Sequence, residues 1–404
     1  MIRFITAGES HGKALNVIVE GFPSNMPLSE AYINNELKRR QMGYGRGMRM
    51  KIETDTAEVL SGIRFAKTIG SPIAMLIKNS DWQNWKDMLD VNENEILYDK
   101  ISIPRPGHAD LSGISKYNLD DIRNSIERSS ARETAARVAA GAVAKKLLSL
   151  FGIEIGSFVE SIGGIYPKNN FLNKLLENSA HKKFSGSSLS QWADKSSVRV
   201  LDSSDEEKII RKIKSAKKNG DTLGGTFVLA ATGLPIGLGS FIQYDKRLDS
   251  DIAHAIMSIN AVKGVEIGDA FKGASLCGSG IHDRIVKKGD NLTRKTNHYG
   301  GIEGGISNGM PVIVRGAMKP IATLMSPLET IDLSTMKKVL SRRERSDFTA
   351  VPACAVVGEA MLAWVIAKHF CEKFGGDSLE EMTDNYNSYT RKLDNRIKSN
   401  FAKK

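Results

Sequence analysis

Gly8-Glu9-Ser10-His11-Gly12 sets a serine and a histidine between two glycines, where side chains meet little obstruction. The run matches the G-x-S-x-G nucleophile elbow of serine hydrolases. In that fold several strands precede the elbow, whereas here only a short strand over Arg3–Thr6 does. The run also falls short of a P-loop, because Ala7 stands where the first glycine belongs and Ala14 where a hydroxyl would bind magnesium. A second histidine, His108, sits in Pro104-Arg105-Pro106-Gly107-His108-Ala109-Asp110. Proline and glycine stiffen that loop and aim its side chains. A histidine beside an acid can act as a general acid near neutral pH, although a lone histidine is more often structural.

Arginines form the next group. Residues 38–51 hold Lys38, Arg39, Arg40, Arg46, Arg49 and Lys51 with no acid, on a segment punctuated by Gly43, Gly45 and Gly47. Guanidinium groups are planar bidentate donors to carboxylate and phosphate. Tyr44 is the one aromatic there, which gives base stacking little support, so a small polyanion suits the cluster better than RNA. Arg128-Ser129-Ser130-Ala131-Arg132-Glu133 opens an Ala-rich helix, where hydroxyls and N–H groups can hold an anion. The plainer reading is an N-cap at Ser129 or Ser130, with Glu133 closing a capping box. Late in the chain come the Gly-rich run 297–309 and Arg342-Arg343-Glu344-Arg345-Ser346-Asp347. Arg345 and Asp347 share a face if that segment is extended. No HExxH, EF-hand or Cys/His cluster occurs, so no metal is expected.

These residues need elements to position them. The pattern predicts strands over Arg3–Thr6, Ala14–Glu20, Lys51–Thr54, Pro72–Lys78, Thr226–Ala231 and Pro311–Arg315. It predicts helices over Ser29–Arg40 with Ser29 as N-cap, Ala131–Leu150, Ser204–Asn219, Asp249–Ile259 with Asp249 or Ser250 as cap, and Val356–Phe374. The alanines of Ala131–Leu150 imply close backbone approach in a tightly buried helix. Residues 165–200 are polar and aperiodic and read as a surface insertion, and 377–404 as a polar C-terminal tail that either holds a surface helix or frays. The elements interleave without a βαβ rhythm, so one α+β domain over 1–376 is expected.

Composition excludes several classes. With 57 Lys+Arg against 46 Asp+Glu the net charge is +11, but the excess sits in residues 38–51 and 391–404 rather than over a face. Cys277, Cys354 and Cys371 form no CxxC pair, which argues against a disulfide scaffold or a structural zinc site. The N-terminal residues lack a signal peptide's apolar core. The longest uncharged stretch, Thr222–Tyr244, is broken by glycines and Pro235, so it reads as strands and turns. A cytoplasmic protein without membrane or nucleic-acid partners is expected.

Taken together the motifs resemble the chorismate synthase family. The matching runs stand in order: GESHG at 8–12, RR-x-x-G-x-GR at 39–46, R-x-x-x-E-x-D at 49–55, PRPGHADL at 104–111, RSSARETA at 128–135, MSINAVKGVEIG at 257–268, GGIEGGISNG at 300–309 and RSD-x-x-AVPA at 345–353. One such string is weak, and all of them in order are specific. The resemblance implies a β-α-β sandwich assembling as a homotetramer. It implies a lyase that converts 5-enolpyruvylshikimate-3-phosphate to chorismate by 1,4-anti elimination of phosphate, using reduced FMN. It further implies that His11 protonates the departing phosphate, that His108 manages the protonation state of the flavin, and that Asp347, helped by Ser10 or Ser129, relays a proton. FMN would contact Arg128, Ser129, Ser130, Asn260, Ala261, Gly304, Lys319, Pro320, Ile321, Ala322, Thr323 and Arg345. Substrate anions would meet Arg40, Arg46, Arg49, Arg105 and Arg132, and Arg40 and Arg46 match positions linked to NADP in some members. The reductase insertion of bifunctional members is absent, so a separate flavin reductase, with NADPH as indirect reductant, would supply the cofactor. The serine hydrolase and the RNA-binding protein remain as alternatives.

Overall fold

A computed structural model describes residues 2–47, 54–92, 98–169, 171–177, 184–289, 291–344 and 346–398. Alternating burial builds the first sheet: Leu15, Val17 and Val19 face inward while Asn16 and Ile18 face out. Its strands are β1 (Arg3–Ala7), β2 (Ala14–Glu20), β3 (Ala57–Val59) and β4 (Ile73–Lys78), antiparallel in the order β1-β2-β4-β3. A second antiparallel sheet holds β5 (Glu154–Ile162), β6 (Gly225–Thr232), β7 (Val262–Ile267) and β8 (Val312–Met318), in the order β5-β6-β8-β7. The principal helices, in chain order, are α1 (Glu30–Gln41), α2 (Asp110–Tyr117), α3 (Ile122–Ser129), α4 (Thr134–Ser149), α5 (Phe171–Leu176), α6 (Gly186–Ala193), α7 (Glu206–Lys218), α8 (Leu248–Met257), α9 (Val351–Phe374) and α10 (Leu379–Lys398).

Helices α4 and α9 form the middle layer between the sheets: α4 packs on β2 and β5, and α9 on α4, β5 and β6. The small residues of α4 permit this. A Cβ at Gly141 would lie 2.3 Å from the Ala360 Cβ, so the two backbones approach as closely as glycine allows. The α+β sandwich is therefore held by a central pair of helices buried on nearly every side. Helix α9 is long and apolar enough to cross a membrane, yet 94% of its most apolar window is buried inside the molecule, which makes it a core helix.

One acid is buried in that core. Glu359 on α9 is 0% exposed. It accepts from Arg39 Nη1 and Nη2 at 2.7 and 2.9 Å, Lys145 Nζ at 3.0 Å, Arg199 Nη2 at 3.2 Å, and Ser157 and Ser190 Oγ, both at 2.6 Å. Glu36 shares Lys145 and Arg39, and Asp194 takes Arg39 Nε at 2.7 Å. Burial alone would raise the Glu359 pKa, but the charges of Arg39, Lys145 and Arg199 hold it well below the usual carboxylate range. Arg39, read from sequence as part of an anion-binding loop, is thus a structural counterion joining α1 to α9.

Several expectations are corrected. Residues 165–200 are not a surface insertion. Leu172, Leu175, Leu176, Leu189 and Ala193 on α5 and α6 pack with Phe158, Val228, Ala230 and Ile313 into a second core on the outer face of the second sheet. The segments are too short for periodicity to reveal them. Of the two forms expected for the polar tail 377–404, a surface helix or frayed chain, the helix is present as α10, which also buries Met382 and donates from its Tyr389 hydroxyl to the Ile236 carbonyl at 2.9 Å. Helix α8 starts at Leu248 with Arg247 as N-cap, so Asp249 lies in the first turn and pairs with Arg247. Helix α9 starts five residues before the expected Val356, with Pro352 in its first turn, as proline's missing N–H permits. Of the strand expected over Lys51–Thr54, residues 51–53 lie outside the described residues. A strand occurs at Ala57–Val59.

Candidate active site

The β1–β2 turn carries Ser10 and His11. Gly8 takes φ 109°, and a Cβ there would lie 2.4 Å from the Ala14 carbonyl oxygen, so only glycine fits. Asn79 Nδ2 donates to the Glu9 and Gly12 carbonyls at 3.1 and 2.7 Å and pins the turn. The Ser10 N–H donates to the Glu127 carbonyl at 2.9 Å, and its hydroxyl to Ser130 Oγ at 3.1 Å. This turn joins two antiparallel strands rather than a strand and a helix. The nucleophile-elbow reading therefore falls.

His11 is held by a residue that sequence reasoning passed over. Glu127, on the last turn of α3, takes the His11 N–H at 2.8 Å and Nδ1 at 2.9 Å. Burial would raise the Glu127 pKa, but the bond and charge of His11, with Arg123, hold it down. The carboxylate therefore accepts, Nδ1 donates, and Nε2 becomes the ring nitrogen able to exchange a proton with a ligand. The imidazole packs against Trp85 with centroids 4.1 Å apart and planes tilted by 32°, and the Arg123 guanidinium lies 4.8 Å from the ring centroid of Trp85. Glu127 immediately precedes the RSSARETA run, which was the only available signal. Trp85 carried none.

His108 repeats the arrangement. Its Nδ1 lies 2.5 Å from Asp110 Oδ1. Asp110 is 0% exposed and also takes Arg105 Nε at 2.9 Å and Nη2 at 3.0 Å. Burial would raise its pKa, and the hydrogen bonds of His108 and Arg105 hold it far below the ordinary value. Arg105 also donates to Thr323 Oγ1 at 3.0 Å and to Glu344 Oε2 at 2.9 Å.

Both histidines face one cleft of about 1050 Å³, lined also by Ser10, Arg105, Ser129, Ser130, Asn260, Ala261, Lys319, Pro320, Ile321, Ala322, Thr323 and Asp347. The first sheet supplies the His11 turn. The second supplies the α8–β7 junction and the segment after β8, with Met257, Ile259, Val262 and Met318 as an apolar wall. Lys319 ties these walls together by donating to the Gly107 carbonyl beside His108. Asn260 Nδ2 donates to the Ser129 carbonyl at 3.0 Å, while its Oδ1 is buried without a hydrogen-bond partner. Asp347 accepts from the Gly47 N–H at 2.5 Å and pairs with Arg46 Nε at 3.0 Å.

Arg40, Arg128, Arg132 and Gly304 are not among the residues that line the cleft. Arg40 and Arg132 are both buried and share Asp55, and Arg40 Nη2 donates to the Ala131 carbonyl at 3.1 Å, bracing the α3–α4 junction from behind. Burial lowers the Arg40 pKa to about 10, against the attraction of Asp55. Arg39 and Arg40 are thus paired internally and do not form a solvated RNA-binding face. Arg128 turns away and donates to the Thr6 and Gly8 carbonyls at 3.0 and 3.3 Å. Gly304 sits in a tight hairpin turn between Ile302–Glu303 and Ile306–Ser307, away from the cleft. Arg49 and Arg345 lie outside the described residues. The expected capping box does not form. The Ser130 N–H already serves the Ile126 carbonyl at 3.1 Å, and the Glu133 carboxylate binds Thr6 and Arg137 instead. Ser130 caps a 3-10 turn over Ala131–Glu133, with α4 following at Thr134.

Known proteins resemble this chain in sequence and fold. The sequence model of the chorismate synthase family matches residues 2–371. A chorismate synthase of Chlorobaculum tepidum is 54% identical over 399 residues, covering 97% of this chain and 98% of that protein. One of Aquifex aeolicus is 52% identical over 405 residues, with 98% of each chain covered. A crystal structure of a chorismate synthase superposes with a TM-score of 0.77 at 44% identity, over 97% of this chain and 98% of the other.

Proposed function

The chain belongs to the chorismate synthase family, and we propose that its cleft holds 5-enolpyruvylshikimate-3-phosphate beside reduced FMN, with His11 and His108 as its proton-handling groups. Membership makes it a lyase of the shikimate pathway and of aromatic amino-acid biosynthesis, forming chorismate. The observation that carries the proposal is the pair of histidines, each with Nδ1 on a buried carboxylate, on the walls of a cleft roomy enough for two small molecules.

The residues present fit a flavin. The apolar wall from Met257 to Met318 suits a flat ring system, and the unpartnered Asn260 Oδ1 is an acceptor for a ring N–H. Ser129, Ser130, Asn260, Ala261 and residues 319–323 would hold it. When bound, reduced FMN supplies electron density as phosphate leaves and recovers it afterwards. His11, oriented by Glu127, gives its Nε2 proton to the departing phosphate. His108, fixed by Asp110, holds a proton at the wall shared by Gly107 and Lys319. Asp347 accepts a proton at its carboxylate, with Ser10 and Ser129 as relays. Arg46 and Arg105 attract the substrate anions, and Arg40 and Arg132 keep the α3–α4 junction in place behind them. A cytoplasmic homotetramer, fed by a separate flavin reductase drawing on NADPH, completes the reading.

An anaerobic assay with dithionite-reduced FMN and the phosphorylated substrate tests it. Chorismate and phosphate are expected with reduced FMN alone. Equal turnover with oxidised FMN, or with none, would remove the reading.

A further inference from the structure

Glu344 differs in kind from the two carboxylates that hold the cleft histidines. The side chains of Asp110 and Glu127 are 0% and 2% exposed and fixed by histidines. That of Glu344 is 28% exposed, faces the cleft, and belongs to irregular chain ahead of α9. Its Oε2 takes Arg105 Nη1 at 2.9 Å and its Oε1 lies 2.7 Å from Arg342 Nη2, so one carboxylate bridges two guanidinium groups. Arg342 has little else: its Nε, Nη1 and Nη2 are all buried without a hydrogen-bond partner, so Glu344 neutralises it as an ion pair only. Burial lowers its pKa, with Glu344 opposing and the like charges of Arg105 and Arg123 adding to the shift. A desolvated guanidinium with no hydrogen bond of its own and a single, partly exposed counterion is poised to accept a better-placed carboxylate.

We propose that Arg105 and Arg342 form a carboxylate subsite that Glu344 fills in the ligand-free chain, and that a carboxylate of the substrate displaces it. This rests on reading the cleft as the site of a phosphorylated dicarboxylate. The exchange trades one carboxylate for another, so the arginines are never left unpaired, and Glu344 needs only to rotate toward water. A ligand without a carboxylate cannot make the exchange, so Glu344 also acts as a specificity filter.

The experiment measures the Kd of shikimate 3-phosphate by calorimetry, together with the KM of the full substrate under anaerobic reduced-flavin conditions. Glu344→Gln removes the competitor while keeping its size, and is expected to tighten shikimate 3-phosphate by roughly three- to tenfold. Arg342→Ala is expected to weaken it by roughly ten- to a hundredfold, the range of one charge-assisted bond. Unchanged or weaker binding in a Glu344→Gln protein of wild-type melting temperature would overturn the proposal, as would unchanged binding in Arg342→Ala. Arg342→Lys, which keeps the charge and loses the fork, should fall between if the first variant fails to fold, and wild-type affinity there overturns it too. The binding measurement needs no turnover. Wild-type protein that binds the probe yet makes no chorismate would count against the elimination chemistry and leave this subsite standing.

Discussion

At the scale of single residues, the two histidines are defined by the acids behind them. Glu127→Gln retains the shape of the group but loses the carboxylate that fixes the His11 tautomer and pairs with Arg123. A charge-assisted bond contributes about 1.5–3 kcal/mol. Turnover should therefore fall roughly ten- to a hundredfold, less than the 10²- to 10⁴-fold loss, approximately, from removing an acid-base group outright, as in His11→Ala. Single-turnover absorbance of chorismate reads both variants, and equal losses would mean that Glu127 does more than orient. Asp347→Asn is nearly isosteric and can still accept from the Gly47 N–H. It should keep FMN affinity and lower turnover at least about tenfold, in line with loss of a proton acceptor. A wild-type rate would reduce Asp347 to an ion-pair partner of Arg46.

At the scale of elements, α1, α4 and α9 are clamped by a buried ionic cluster as well as by apolar packing. Removing one partner of such a cluster leaves charges unpaired in the core, at a cost of about 3–5 kcal/mol. Glu359→Gln removes the acid shared by Arg39, Lys145 and Arg199 and leaves only Glu36 and Asp194 to neutralise them, so a large drop in chemical-denaturation midpoint is expected. The pH dependence has a definite sign. The Glu359 carboxyl titrates well below its unfolded value of about 4.3, so its contribution is complete above that pH and lost as pH falls through the folded value. Wild-type stability should therefore fall steeply on the acid side, and the acid limb of Glu359→Gln should be flatter. Parallel limbs would show that other carboxylates govern acid unfolding.

At the scale of the whole molecule, the cleft exists because two sheets end near each other around a shared helical layer. The Ser10–His11 turn comes from one sheet, and Asn260, Ala261 and residues 319–323 from the other. Helix α10 covers apolar surface of α9: Phe374 and Tyr389 meet edge to face with centroids 5.6 Å apart, and Met382 is 1% exposed. Removing residues 377–404 uncovers that apolar surface. Burial of each large apolar side chain contributes about 1.5–3 kcal/mol, so the shortened chain should melt several degrees lower and retain FMN affinity. An unchanged melting temperature would return the segment to the status of a tail.

Much was legible in the chain itself, because local rules set it. Alternation at Leu15, Val17 and Val19 marks a half-buried strand wherever it occurs, Ser29 caps its helix from within one turn, and alanine-rich α4 could only be a helix packed at close range. The cleft's histidines stood out because proline and glycine bracket them. What stayed hidden depended on partners far away in sequence. Arg39 looked like an anion-binding residue until folding placed Glu359 against it, 320 positions on. Arg40 and Arg132 met over Asp55, and Arg128 turned toward Thr6. Glu127 acquired its meaning only when the β1–β2 turn was laid across the end of α3. A charged side chain announces its chemistry by its type, but whether that charge faces a ligand or a counterion is set by which opposite charge the fold brings within about 4 Å, because pairing inside the molecule removes the need for an external one.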